Sequence, residues 1–308
     1  MSALPYLDGE TLRALVPTAR AIQVLEDALR GGLDPEKTPP RPIVEVPAGQ
    51  LLLMPASWGR YAGIKVAGVV PGNPARGLPR IQGTYLLMDG PTLAPLAALD
   101  GIALTSLRTP AVSALAVRHL SGPGAETMAV FGTGPQAWGH VEAFRAVRPV
   151  KRVTVIGRDP RRAEALAARC ADEGLQADTA AGPGAAELVA CCTTARVPLF
   201  EGRLVPDGAT VVAVGSHEPD VREIDDDLVA RATVVVEARG AALAEAGDLI
   251  IPLRNGTITT GHLAGNLREL VDGLVPRGSG PRVFKSVGMA WEDLVVAAAA
   301  YEAWTRVR

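Results

Sequence analysis

Cysteine is scarce in this 308-residue chain: only Cys170, Cys191 and Cys192 are present. The number is odd, and the adjacent pair lies in an apolar run that reads as a buried strand. No disulfide framework is implied, and a reducing, cytoplasmic setting is the expectation. Histidine is equally sparse. His119, His140 and His262 have no partners at metal-ligand spacing, so no metal site is expected. No apolar run approaches the length that spans a bilayer, and the start, Met1 to Asp8, lacks a basic segment followed by an apolar one. Charge of one sign is also missing. With 31 basic and 33 acidic residues the formal net charge is -2, which offers no field for nucleic acid or an anionic membrane. Lysine is confined to Lys37, Lys65, Lys151 and Lys285, every other basic side chain being arginine. A lysine retained against that bias points to a chemical need, because its pKa shifts readily on burial.

Hydrophobic residues make up 48% and charged residues 21% of the chain, the balance of a soluble globular protein long enough for two modest domains or one large one. The default partner is a small neutral or zwitterionic molecule. No repeat or low-complexity segment is evident. Residues from Gly9 to about Arg30 read as helical, with Pro17 suited to start a second helix and Gly31-Gly32 to end it. Short apolar runs follow at Ile43–Val46, Leu51–Met54, Gly63–Val70, Thr84–Met88 and Leu96–Leu99, punctuated by Pro and Gly, which predicts a largely antiparallel sheet. Thr105 is the expected N-cap of a helix reaching Leu120. From Met128 strands and helices alternate, the signature of a parallel sheet with crossover helices. Asp225-Asp226-Asp227 reads as a helix start with acids at the positive dipole end rather than as a cation site. A helical stripe runs from Trp291 to Val307.

The alternating region opens with Gly132-Thr133-Gly134-Pro135-Gln136-Ala137. The first glycine permits a tight turn, the second lets backbone approach a pyrophosphate, and the small Ala137 allows close helix packing. The helix start then offers free N–H groups and a positive dipole end to phosphate. A nicotinamide dinucleotide is the expected ligand. The choice of dinucleotide turns on Gly157-Arg158-Asp159-Pro160, at the end of the next strand. Asp159 precedes a proline and a helical run and so reads as an N-cap, while Gly157 stands where a carboxylate would accept ribose hydroxyls. Arg158, helped by Arg161 or Arg162, is left to meet a 2′-phosphate. NADP(H) is favoured, with NAD(H) as the alternative.

Several segments, taken in order, carry a resemblance. They are Gly63-Ile64-Lys65-Val66, Gln82-Gly83-Thr84, Leu107-Arg108-Thr109-Pro110-Ala111, the Gly132–Ala137 turn, Ala213-Val214-Gly215-Ser216 and Phe284-Lys285-Ser286-Val287-Gly288. As a set they resemble the ornithine cyclodeaminase/mu-crystallin family. The resemblance implies an α/β fold with a Rossmann dinucleotide-binding domain at 116–285. A substrate-binding and dimerisation domain of α+β type would be formed by 1–115 and 286–308, giving a homodimer. It also implies that Arg41, Lys65 and Arg108 hold a substrate α-carboxylate and assist proton transfer, with Leu52 and Met54 beside them. Thr84, Thr109, Thr193, Val214, Gly215, Ser216 and Ser286–Gly288 would join the dinucleotide site.

Elementary chemistry agrees in kind. Arginine presents a planar fork to a carboxylate, and a lysine close to arginines is pushed to a lower pKa, where it serves as a proton donor or acceptor near neutrality. Family members that cyclise ornithine are expected to carry an acid just before the Leu-Met-Pro element and an Asp after Gly-Ser. Here Leu52 and His217 stand at those places, and a distal ammonium would gain no ion pair. His217 suits either a neutral hydrogen-bond partner or general acid, or a loop cap before Pro219. Reduction of an imine beside a carboxylate, in a cyclic ketimine or a 2-imino acid, is therefore the leading expectation. The alternatives are an alanine-type amino-acid dehydrogenase, an ammonia-eliminating cyclodeaminase, and a non-catalytic NADPH-dependent ligand-binding protein.

Overall fold

A computed structural model describes residues 4–307. It divides into two compact units, one formed by the residues up to Thr109 and those from Met289 onward, the other by Pro110–Gly288. Sequence reading puts the breaks at 115/116 and 285/286. The first division falls inside one continuous helix, where there is no loop to mark it.

In the first unit, β1 (Tyr6–Leu7), α1 (Gly9–Leu15) and α2 (Thr18–Arg30) precede β2 (Ile43–Val46), β3 (Gly49–Trp58), β4 (Tyr61–Val69), β5 (Ile81–Asp89) and β6 (Pro95–Asp100). The strands form a sheet ordered β1-β6-β5-β4-β3-β2, antiparallel except between β1 and β6. Burial alternates along it as a two-residue side-chain period requires. Leu52, Met54 and Ala56 on β3 and Tyr61, Gly63, Lys65, Ala67 and Val69 on β4 are buried, and their neighbours are not. The buried face packs against the last helix, α10 (Ala290–Arg306), which contacts β3, β4 and β5. Helix α3 (Gly101–Leu120) starts one turn earlier than expected because Asp100 caps it, its carboxylate accepting from the N–H groups of Ile102 at 2.9 Å and Ala103 at 3.0 Å. Thr105 is therefore not the cap. Its hydroxyl donates back to the Gly101 carbonyl at 2.7 Å.

The second unit contains β7 (Thr127–Phe131), α4 (Pro135–Arg145), β8 (Arg152–Ile156), α5 (Pro160–Asp172), β9 (Gln176–Thr179), β10 (Leu188–Cys191), β11 (Thr210–Ala213) and α6 (Asp226–Arg231). These are followed by β12 (Thr233–Val236), α7 (Arg239–Glu245), α8 (Gly247–Arg254), β13 (Leu263–Asn266), α9 (Leu267–Val271) and β14 (Arg282–Lys285). All eight strands are parallel, in the order β13-β12-β14-β11-β10-β7-β8-β9. The central strands β10 and β11 are buried along their whole length, as strands covered on both faces must be. Strand β7 sits where the order reverses, between β8 and β10. The crevice beyond its carboxyl end is where doubly wound sheets bind ligands. None of the described helices is long and apolar enough to cross a membrane.

Helix α4 is held from inside by His140, which has no exposed surface. One ring nitrogen lies 2.7 Å from the Gln136 carbonyl and the other 2.8 Å from the Ser113 hydroxyl. A neutral ring, donating to the carbonyl and accepting from the hydroxyl, satisfies both. Burial lowers its pKa to about 4. The unfolded chain, with a pKa near the ordinary histidine value, binds this proton first as pH falls. The stabilisation is complete above about pH 6.5 and is lost towards pH 4, a change of about 3 kcal/mol. Urea unfolding of the wild type is expected to weaken steeply between pH 7 and pH 4.5, and that of His140→Gln less steeply. Equal slopes would show that His140 is not buried in its neutral form.

Candidate functional site

The glycine turn of the second unit is built as its residues dictate. Gly132 has φ +112°, and a Cβ there would lie 2.6 Å from the Cys192 carbonyl oxygen, so no other residue fits. Its N–H donates to the Ile156 carbonyl at 2.9 Å, tying the turn to the end of β8. Gly134 is the exposed N-cap of α4, with open space around the position of a side chain, and no side chain caps the helix. Pro135 fills the first helical position, where no N–H is needed, and the positive end of the α4 dipole faces the turn. The open space at Gly134 and the uncapped helix start are the features by which such turns hold a pyrophosphate.

At the end of β8, a Cβ on Gly157 would strike the Thr133 side chain at 2.7 Å. Asp159 caps α5, accepting from the Arg161 N–H at 3.0 Å. Arg158, Arg161 and Arg162 are exposed and form no ion pair among the described residues.

Three buried acids hold the remaining loops at this end of the sheet. Glu223 accepts from the N–H and hydroxyl of Thr193 at 2.8 and 2.7 Å and from the N–H of Gly215 at 2.7 Å. Burial raises its pKa, while Lys285 works in the opposite direction. Asp248 accepts from the N–H groups of Glu223 and Ile224 at 2.7 and 3.0 Å, and its other oxygen pairs with Lys285 at 2.9 Å. Lys285 also donates to the Ser216 carbonyl at 2.6 Å. Glu237, just beyond β12, accepts from the Ser286 hydroxyl at 2.6 Å and from the N–H groups of Val287 and Gly288 at 2.9 Å each. Thr193, Gly215-Ser216 and Ser286–Gly288 are thus fixed by charge-assisted hydrogen bonds from behind.

In the first unit a second polar cluster lies between the sheet and α10. Lys65 Nζ meets both oxygens of Asp293, at 2.8 and 3.0 Å, and the Thr105 hydroxyl at 3.1 Å. Arg108 pairs with Glu292 at 2.5 Å through a terminal nitrogen and with Asp293 at 3.3 Å through Nε. Lys65 and Arg108 are 3% and 5% exposed, and the two acids are fully buried. Burial lowers the Lys65 pKa to about 8; Asp293 opposes the shift and Arg108 adds to it.

Met54 is the register partner of Lys65, and Leu52 that of Ala67, so both stand on the buried face beside the lysine. Arg41 is half-buried in the extended segment leading into β2. Thr84 is not brought together with Lys65: it pairs in register with Val66, on the opposite face of the sheet. Thr109 is buried within α3. Val214 and His217 are half-buried in the loop after β11.

Residues 12–307 match the family described as "Ornithine cyclodeaminase/mu-crystallin family". The chain belongs to it. It is similar to the Delta(1)-pyrroline-2-carboxylate/Delta(1)-piperideine-2-carboxylate reductase of Azospirillum brasilense, at 36% identity over 98% of this chain and 97% of the relative. Among solved structures it resembles the Thermococcus litoralis Delta(1)-pyrroline-2-carboxylate reductase in complex with NADH and L-proline, at 30% identity and a TM-score of 0.92 over 99% and 98% of the two chains. An archaeal alanine dehydrogenase dimer with bound NAD superposes with the same TM-score at 27% identity, over 99% and 97%.

Within this member of the family, the supporting acids Glu223, Glu237, Asp248, Glu292 and Asp293 escape sequence reading. Glu223 stands in a charged loop, and the others in apolar or helical stretches, where an acid reads as an exposed group or a helix start. A weak signal exists for Glu292 and Asp293: they occupy the first turn of an otherwise apolar helix, where acids suit the dipole. Lys285 was visible as one of few lysines, but its ammonium is committed to Asp248 and backbone carbonyls.

Proposed function

We propose that the chain is an NAD(P)H-dependent reductase of imines that carry an adjacent carboxylate, acting in a reducing cytoplasm on cyclic ketimines such as pyrroline-2-carboxylate or piperideine-2-carboxylate. The observation that carries this reading is the buried Lys65–Arg108 pair, with the lysine pKa lowered to about 8. In this reading Arg108 and Arg41 hold the substrate carboxylate as a fork holds an oxygen pair. Lys65 is still protonated at neutral pH, yet sufficiently acidic to hand a proton to the imine nitrogen. Asp293 and Thr105 aim its ammonium. The bound reduced nicotinamide would supply the hydride that the imine carbon accepts. The C=N bond becomes C–N, its carbon gaining hydrogen and its nitrogen the Lys65 proton. Leu52, apolar and buried beside Lys65, gives a distal ammonium no partner, which argues against ornithine cyclisation.

The dinucleotide would lie on the Gly132–Ala137 turn, with Thr193, Val214–Ser216 and Ser286–Gly288 lining the rest of its site and Gly157–Asp159 beside the adenosine ribose. We favour NADP(H). Arg158 is exposed and forms no ion pair among the described residues, while the neighbouring Asp159 carboxylate is engaged as a helix cap. The test is a steady-state panel of cyclic imino acids, pyruvate with ammonia or methylamine, and ornithine, each with NADPH and NADH. Oxidation of NADPH by the cyclic imines is expected. Ammonia release from ornithine without net cofactor turnover would overturn the reductase reading, and preference for pyruvate with ammonia would favour an alanine-type dehydrogenase. Arg158→Ala is expected to weaken NADPH on the order of tenfold or more and NADH little; equal losses would refute the NADP(H) assignment.

We also propose a homodimer formed through the sheet of the first unit. Val44, Leu51, Leu53, Ile64, Val66 and Leu86 share the face opposite Lys65, and none is buried. An apolar face of this breadth marks an association surface. The wild type is expected to sediment as a dimer and Val66→Asp as a folded monomer. A monomeric wild type would refute the proposal.

A further inference from the structure

The reductase reading gives Lys65 and Arg108 different tasks, one moving a proton and the other holding a carboxylate. Resting on that reading, we propose that the two adjacent acids at the start of α10 divide these tasks: Asp293 is the positioning residue for Lys65, and Glu292 is the positioning residue for Arg108.

Geometry carries the assignment. Neighbouring residues on a helix point about 100° apart, so two consecutive acids are aimed in different directions and favour different partners. Asp293 gives both oxygens to Lys65, at 2.8 and 3.0 Å, while Glu292 reaches Arg108 at 2.5 Å. The cross-contact from Arg108 Nε to Asp293, at 3.3 Å, is longer than the Lys65–Asp293 and Arg108–Glu292 distances. Both acid side chains are fully buried, so they act through the two cations and do not meet a substrate themselves. The other polar groups facing Lys65 are the Thr105 hydroxyl and Arg108 from α3, the phenol of Tyr85 from β5, its register partner, and the Glu292 carboxylate, whose charge favours the ammonium less strongly than that of Asp293 does. Tyr85 is fully buried, and its pKa is raised by burial and by Asp293, which leaves it a neutral neighbour.

Stability alone does not explain such an arrangement. Buried ion pairs are often replaced by apolar residues of similar volume at no cost, whereas losing one partner is strongly destabilising. A cluster of two cations and two anions with no net charge instead provides two independently oriented cations within one apolar interior. Gly63 makes room for it. A Cβ at that position would lie 2.3 Å from the Tyr85 hydroxyl, so glycine lets the phenol pass beneath β4.

The test uses the full chain and the variants Asp293→Asn and Glu292→Gln, with Asp293→Glu and Glu292→Asp as conservative partners should either amide variant fail to fold. Two readouts are needed, one independent of catalysis. With four lysines in the chain, carbon-13 labelling of the lysine side chains resolves Lys65 by NMR, assigned through Lys65→Arg. Lys65 is expected to titrate near pH 8 in the wild type. It should titrate about one unit lower in Asp293→Asn, where the carboxylate that favours the ammonium is gone, and clearly less displaced in Glu292→Gln.

The second readout is the kinetics of imine reduction. Asp293→Asn is expected to lower kcat about tenfold or more and move the basic limb of its pH profile down, with KM for the imino acid nearly kept. Glu292→Gln is expected to raise that KM about tenfold while leaving the basic limb in place. The conservative variants should show the same split in smaller measure. An identical kcat and KM pattern in the two variants, or an unmoved Lys65 titration in Asp293→Asn and Asp293→Glu, would overturn the division. A wild type that reduces no cyclic imino acid would sink the reductase reading instead, and the NMR titration would still decide whether Asp293 governs Lys65.

Discussion

Four charged side chains with almost no exposure meet in the interior of the first unit, and much of that unit is arranged to keep them there. Lys65 and Arg108 come from a strand and a helix far apart in sequence from Glu292 and Asp293. Removing any one of them would leave a buried charge without its partner, a loss of about 3–5 kcal/mol. The first turn of α10 offsets part of the burial cost through its dipole. The result is a lysine whose ammonium is poised near neutrality and an arginine fixed in orientation, both inside apolar surroundings where electrostatic interactions are strong.

The second unit solves a related problem in a different way. Its glycine turn works through backbone alone, with close approach at Gly132 and an uncapped helix at Gly134. The other loops at that end have no such geometry of their own. Glu223, Asp248, Glu237 and Lys285 supply it, each bonding backbone groups of the loops from the buried side. Preorganised donors of this kind cost little reorganisation when a ligand arrives. In both units, then, buried charges hold the surrounding loops and side chains from the inside.

The parts legible in the sequence and the parts hidden from it separate along the same line. The Gly132–Ala137 turn, the Asp159 cap and the helix starts at Asp225 and near Trp291 are local devices, readable because their geometry is set within a few residues. Lys65 and Arg108 stood out through residue type and through the family resemblance. The acids that hold them did not, since nothing within a few residues of Glu292 or Asp293 reveals partners 184 and 228 positions away. Sequence reading starts α3 at Thr105, but Asp100 is an equally good cap and takes the N–H groups of Ile102 and Ala103 one turn earlier. Thr84, which the family resemblance groups with the dinucleotide site, stands on the face opposite Lys65, a relation that only the pairing of the strands reveals. The edge strand β9, exposed along most of its length, lacks the apolar run that marks the central strands.

The central claim is that the chain transfers a hydride to the carbon of an imine beside a carboxylate. The direct measurement is a single turnover of pyrroline-2-carboxylate with dinucleotide deuterated at both hydrogens of nicotinamide C4, followed by mass analysis of the product. One deuterium in proline, at the α-carbon, is the result this account predicts. Proline without deuterium, or no turnover with that imine or its six-membered homologue, would contradict it.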